Sequence, residues 1–158
     1  MSYTVVKANL LCLKDSLAVA EILCKCGRDM KEKYGLLHWD NSLFKTWLII
    51  CYTAVKNRVF IVYDNNRSPV ATFCIGVFED YLHFGKLAVL PEFSGKGIGS
   101  FCLKYIERLA RESGKNRICC EVYEKSEHAL GFYEKLSFEV IGKVSTRKYT
   151  ELVLSKNL

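Results

Sequence analysis

The stretch Pro91-Glu92-Phe93-Ser94-Gly95-Lys96-Gly97-Ile98-Gly99-Ser100 places three glycines at alternate positions between an apolar run and an amphipathic one. A helix that starts there carries about four unpartnered N–H groups and roughly half a positive charge at its first turn, a combination that attracts phosphate. Glycine has no Cβ, so ligand oxygens can approach those N–H groups closely, and Lys96 adds a cation at the rim. Two familiar phosphate loops are excluded by spacing. The pattern G-x-x-x-x-G-K-[ST] needs a lysine after its last glycine, whereas Ser100 follows Gly99, and G-x-G-x-x-G breaks at Ser100 or Cys102. Read locally, the same glycines also describe a tight strand-to-helix connection that binds nothing.

Metal chemistry has no comparable signal. Cys24 and Cys26 lie two apart on an expected helix, Cys119 and Cys120 are adjacent on an expected strand, and no C-x-x-C pair seeds a zinc site. The eight cysteines read as buried thiols behaving as small hydrophobes. Met1-Ser2-Tyr3-Thr4 shows no basic-then-apolar segment, so the expected location is cytoplasmic, where thiols stay reduced. The net charge of +6 is spread along the chain apart from residues 28–33 and Arg147-Lys148; it suits an anionic ligand and is too weak to indicate nucleic acid. Apolar runs such as Trp47-Leu48-Ile49-Ile50-Cys51 fall far short of the ~20 residues of a membrane span.

These residues need a scaffold. With 158 residues, half of them apolar, and no repeat or linker, the chain reads as one domain over residues 1–158 that buries roughly 70% of its unfolded surface. Residues 3–7 suit a strand, and Leu17, Ala20, Leu23 and Cys24 form a helical stripe after Asp15-Ser16 that ends near Gly27. A second helix is expected after a cap at Asp40 or Asn41, with Phe44, Trp47, Leu48, Cys51 and Val55 on its buried face. The period then switches to two, giving strands over 59–63, 70–78 and 81–90 with turns at 64–67 and Glu79-Asp80. A helix carrying Ile98, Phe101, Cys102, Tyr105 and Leu109 stops at Gly114, followed by a strand over 117–123, a helix over 126–136, and strands near 138–142 and 148–154. The order β-α-α-β-β-β-α-β-α-β-β predicts a mixed α/β fold with helices on both faces of the sheet and one crossover, between the strand at Tyr81 and that at Arg117. On periodicity alone Tyr133 is a core aromatic on an amphipathic helix, and Leu87 and Val89 belong to a packed strand face.

Two phrases together resemble a known family. Leu87-Ala88-Val89-Leu90-Pro91-Glu92-Phe93-Ser94-Gly95-Lys96-Gly97-Ile98-Gly99-Ser100 is similar to the acetyl-CoA-binding signature of the GNAT acetyltransferase superfamily, and Ala129-Leu130-Gly131-Phe132-Tyr133-Glu134-Lys135-Leu136-Ser137-Phe138 resembles its later tyrosine-bearing helix and "Tyr-Glu-Lys-x-Gly-Phe" phrase. The motifs cover about a third of the chain, and the element order covers nearly all of it. Three serines depart from the family pattern: Ser94 replaces Gln or Arg, Ser126 an Asn, and Ser137 the Gly before Phe138. Ser94 cannot reach a phosphate as Arg would, while Ser126 can still cap a helix.

The resemblance implies a GNAT-like fold with a mostly antiparallel sheet of about seven strands, acetyl-CoA as co-substrate, and transfer of its acetyl group to a primary amine by direct attack. It places the pantetheine arm along Leu87, Ala88 and Val89, the phosphates at Ser94 to Ser100, and Ser126, Ala129 and Tyr133 against the cofactor. The N–H near Val89 would meet the thioester carbonyl, and Tyr133 would donate to the leaving sulfur. No metal is implied. A primary amine near pKa 10.4 is mostly protonated at neutral pH, so a base is needed. Glu79 and Asp80 stand first, followed by His83, Glu121 and His38. The region 28–40, with Tyr34, Gly35, His38 and Trp39, is where the family builds its acceptor pocket, and it equally suits a lid over the core. The acceptor is expected to be a small-molecule or peptide amine, with no nucleic-acid or membrane partner and with a homodimer left open. A sensor that binds acyl-CoA but has lost the chemistry is the alternative reading.

Overall fold

The computed structural model describes residues 2–158. Its elements are β1 (Thr4–Lys7), α1 (Leu13–Tyr34), α2 (Leu43–Lys56), β2 (Arg58–Tyr63), β3 (Pro69–Val77), β4 (Leu82–Val89), a short 3-10 turn (Pro91–Phe93), α3 (Ile98–Glu112), β5 (Arg117–Tyr123), α4 (Glu127–Glu134), β6 (Glu139–Ser145) and β7 (Thr150–Asn157). The seven strands form one sheet in the order β1-β2-β3-β4-β5-β7-β6. Every neighbouring pair is antiparallel except β4 and β5, which α3 connects. The expected element order and mixed fold are therefore present.

Strand alternation divides the core between the two faces of the sheet. On β2, Phe60 and Val62 join the cluster built with α3, while Val59 and Ile61 join the cluster built with α1 and α2. On β4 this parity breaks. Thr72 pairs with Ala88 and Cys74 with Gly85, so one β3 residue opposes two on β4, and the bulge contains Lys86 at φ 51°. The extra residue turns Ala88 and Leu90 toward α1, whereas Leu82 and Phe84 face α3.

Several boundaries differ from expectation. Helix α1 starts at Leu13 and runs through Gly27 to Tyr34, with the left-handed Gly35 as its cap. Gly27 is not a stop: a Cβ there would collide with the Trp39 carbonyl oxygen, so the glycine lets the following loop pack on the helix. The cap of α2 is Ser42, whose hydroxyl accepts the Lys45 N–H at 3.3 Å, rather than Asp40 or Asn41. The expected buried face of α2 is also wrong. Thr46 and Ile50 are buried, Trp47 donates to Ser16 Oγ at 3.0 Å, and Phe44, Leu48 and Val55 are exposed. This helix is apolar around most of its circumference, so periodicity offered two stripes and packing chose the other.

Candidate active site

The two parallel strands part soon after they meet. Pairing between β4 and β5 covers Leu82 with Ile118 and His83 with Cys119; beyond it the strands separate around a cleft of about 650 Å³. The gap lies at the carboxyl ends of the strands, where open α/β sheets bind ligands, and its volume is that of a small-molecule site. The bulge at Lys86 bends β4 where it leaves β5. Leu90 N–H bonds to Val70 O at 2.9 Å, so by alternation the Val89 N–H turns away from β3 toward the gap. The Val89 carbonyl on that side accepts the Cys26 thiol at 3.2 Å.

One limb of the cleft is mostly backbone. Gly95 and Gly97 have φ of 74° and 79°, and Gly97 caps α3, whose first turn has no side-chain cap. The first α3 bond at this end runs from Phe101 N–H to Gly97 O, so the N–H groups of Ile98, Gly99 and Ser100 precede the helical ladder. Gly99 serves another purpose, because a Cβ there would lie 3.1 Å from Phe132 of α4. Leu87, Ala88, Val89, Ser94, Gly95, Gly97, Ile98, Gly99, Ser100, Ser126, Ala129 and Tyr133 all line the cleft. Lys96 does not. Its ammonium sits 4.8 Å from the centre of the Phe93 ring. Ser126 is buried at the start of α4 but makes no side-chain cap there, contrary to expectation.

Tyr133 is 8% exposed and packs between Phe84 and Phe138. Burial, reinforced by the neighbouring Cys120 thiol, pushes this phenol well above its ordinary value. It stays protonated at any physiological pH. The cleft thiols are similarly unreactive: burial, with Asp29 adding to it, lifts Cys26 to about 12, and burial raises Cys120 further.

The other limb is made of side chains from distant elements. Asp29, Lys33 and Tyr34 come from α1, His38 and Trp39 from the following loop, Glu121 and Tyr123 from β5, His128 from α4 and Glu151 from β7. Tyr34 and His128 stack in parallel with centroids 4.4 Å apart, joining α1 to α4 beside the cleft. His83 Nε2 lies 2.6 Å from Glu121 Oε2, and this hydrogen bond holds the Glu121 carboxyl below the usual carboxylate range despite its partial burial. Burial shifts Glu151 the other way, with Glu121 adding to the effect.

Glu79 and Asp80 are not brought here. They occupy the β3–β4 turn, where the Glu79 carbonyl accepts Lys115 Nζ at 2.8 Å. At about 3.3 Å per strand residue, that turn is about 25 Å from Leu87, so the structure does not bring Glu79, the first expected base, or Asp80 to this cleft. Sequence reading also missed the His83–Glu121 pair and the Lys86 bulge. The available signal was an ionisable residue interrupting each of two apolar strands.

Residues 18–138 match the sequence profile of the acetyltransferase (GNAT) family. The fold is similar to an acetyltransferase of the GNAT family from Staphylococcus aureus Mu50 (TM-score 0.76, 12% identity, 99% of both chains). It is also similar to PaiA N-acetyltransferase from Thermoplasma acidophilum in complex with coenzyme A (0.75, 15%, 100% of both chains). A third likeness, to a GNAT family acetyltransferase from Elizabethkingia anophelis with acetyl-CoA bound, has a TM-score of 0.61 at 14% identity over 70% of this chain and 82% of that one. With the glycine-started helix, the parted parallel strands and the profile match over most of its length, this chain belongs to the GNAT acetyltransferase family.

Proposed function

We propose that this protein transfers the acetyl group of acetyl-CoA to a primary amine by direct attack. The observation that carries the reading is the convergence of three features on one cleft: the bare first turn of α3, the unpaired edge of β4 at Val89, and the buried Tyr133. Two of the solved relatives hold coenzyme A or acetyl-CoA, which supports the same ligand here. The cofactor supplies an activated acyl thioester. The N–H groups of Ile98, Gly99 and Ser100 receive its phosphates, Leu87 and Val89 offer backbone partners to its arm, and the Val89 N–H stabilises the oxyanion. Tyr133 donates a hydrogen bond to the departing sulfur. Because burial raises its pKa, full proton transfer is disfavoured and the hydrogen bond itself does the stabilising. Cys26 and Cys120, neutral thiols, take no covalent part.

One observation favours the alternative sensor. Tyr133 is 8% exposed, held between Phe84 and Phe138 with the buried Cys120 thiol beside it, an environment that also describes a core aromatic. Two measurements separate the readings. Acetyl-CoA at a hundredfold excess over its Kd adds about 2.7 kcal/mol of stability, or about 5–11 °C in Tm. Release of free thiol with an amine panel then reports chemistry. A specific Tm rise together with amine-dependent thiol release supports the transferase; a rise with no release from any amine indicates the sensor. No rise at millimolar acetyl-CoA, or the same rise with any polyphosphate, removes the cofactor site.

A further inference from the structure

We infer that His38 is the proton acceptor for the attacking amine, and that the amine is carried on a flat, unsaturated group. The inference rests on the acetyl-transfer reading and names the base and substrate class of that site. His38 Nδ1 is buried without a hydrogen-bond partner, the one such side-chain nitrogen or oxygen among the described residues. Buried polar atoms are almost always paired, so an orphan ring nitrogen on a residue that lines the cleft calls for a partner there. The ring cannot easily turn away. Tyr123 lies 4.5 Å from it, Trp39 and Tyr149 each 6.0 Å, so aromatic rings of β5, its own loop and the β6–β7 turn confine it.

The surroundings favour a neutral imidazole. Burial lowers the His38 pKa below its ordinary value, and His128 across the cleft acts in the same direction. Burial likewise holds His128 down, with Asp29 opposing. Of the remaining charged groups facing this limb, Asp29 and Lys33 neutralise each other at 2.7 Å. Glu121 is tied to His83, leaving Lys86 of β4 and Glu151 of β7. Glu121 is therefore a poor base, because its hydrogen bond stabilises the charged carboxylate. No protein group competes for the His38 Nδ1.

The same inventory sets the substrate class. With Glu121 engaged, few carboxylates are free for a second or third ammonium, which disfavours polyamines. Aromatic side chains line the cleft instead, Trp39 and Tyr123 together with Tyr34, which is stacked on His128, and such a lining suits one ammonium head on a planar body. In the step itself the amine lone pair forms the N–C bond, the C–S bond breaks, and its electron pair leaves on sulfur. The ammonium gives up two protons overall. One passes to His38 Nδ1 before attack, which frees the lone pair, and goes on to solvent; the other leaves the nitrogen as the tetrahedral intermediate collapses and ends on the sulfur, giving the thiol.

The test compares 2-phenylethylamine, protonated at neutral pH, with phenylhydrazine, neutral there, after subtraction of uncatalysed acylation. Asn at position 38 keeps an acceptor oxygen near the Nδ1 position but cannot take up a proton. His38→Asn should lower kcat/KM for 2-phenylethylamine by about 10²–10⁴, and for phenylhydrazine by less than tenfold, with the acetyl-CoA-induced Tm rise intact. The wild-type acidic limb in kcat/KM should lie below the ordinary histidine value and vanish in the variant. Should the variant fail to fold, the wild-type imidazole ¹⁵N spectrum takes over: Nδ1 should be the unprotonated nitrogen and shift when 2-phenylethylamine is added. Equal losses with both nucleophiles, no loss, or a protonated Nδ1 overturn His38 as base. Wild-type protein that takes up acetyl-CoA but acetylates neither amine overturns the substrate class, whereas absence of the acetyl-CoA response sinks the underlying reading instead.

Discussion

The two limbs of the cleft are built from different materials. The Leu87–Ser100 limb is continuous in sequence and offers mainly backbone: bare N–H groups, two left-handed glycines and a strand edge freed by a bulge. The His38 limb is assembled from five separated segments and offers side chains, with rings, carboxylates and an imidazole set by packing. Backbone donors do not depend on which side chain stands at a position such as Ser94, because they belong to the helix start. Side-chain recognition does, because each group depends on its neighbours for placement and charge state. The same contrast makes the first limb suitable for a ligand shared across a family and the second for an acceptor that differs between members.

The sharpest break in this comparison comes where the limbs meet. Tyr133→Phe keeps the ring and removes the donor, so kcat should fall by about 10²–10⁴ with KM for acetyl-CoA little changed. Because the ring keeps its packing on Phe84 and Phe138, folding should lose only about 1 kcal/mol, measurable by denaturant unfolding. Wild-type turnover in the phenylalanine variant, with chemistry rate-limiting, removes Tyr133 from the mechanism.

Next in size is Gly97→Val, aimed at the backbone limb. At φ 79° a β-branched residue is strained, and its bulk blocks the first turn of α3. The Kd for acetyl-CoA should weaken by at least about 100-fold, which is about 2.7 kcal/mol. Gly99→Val acts differently: it drives into Phe132, so folding stability should fall along with binding. Full cofactor affinity in Gly97→Val means the phosphates bind elsewhere.

A smaller effect probes the side-chain limb. His83 holds the Glu121 carboxyl low, so this carboxyl contributes stability above the ordinary carboxylate pKa, and the contribution is lost as pH falls through the depressed folded value. In His83→Asn that depression lessens, so the contribution present above the acidic window shrinks. The acid arm of the Tm-versus-pH curve should therefore rise less steeply than in wild type: the difference between the two curves is smallest at low pH and reaches its full, modest size by about pH 7. An unchanged acid arm shows that the pair is too exposed to matter.

The smallest prediction concerns a departure from the family pattern. Ser137 sits at φ 65°, in the left-handed region. Relief of about 1–2 kcal/mol of strain by Ser137→Gly is partly offset by about 0.5–1 kcal/mol of lost glycine entropy. A net gain of about 0.5 kcal/mol, or about 1–2 °C in Tm, is expected. A decrease in Tm shows that the serine side chain contributes more than its backbone costs.

By itself the sequence determined the order of elements, the crossover between β4 and β5, and the glycine-bearing turn, because each is encoded within a few neighbouring residues. A period of two or 3.6, a cap, and an alternation of glycines are local properties and survive without knowledge of the rest of the chain. Gly27 shows the limit of that logic. It carries the composition of a helix stop, yet it lies inside α1 because the Trp39 backbone needs the space. Likewise α2 carries two apolar stripes, and only contact with α1 and the sheet selected Thr46 and Ile50 for burial over Phe44 and Leu48. The charge-bearing part of the site belonged wholly to the tertiary structure. Glu79 and Glu121 are both acidic residues close to apolar strands in sequence, but strand direction carries Glu79 to the far end of β4 and brings Glu121 beside His83 in the cleft. The orphaned Nδ1 of His38 exists only because rings from β5 and the β6–β7 turn close around a loop more than eighty residues earlier. Burial and pairing fix protonation, and both are sums over neighbours that the linear order of residues does not contain.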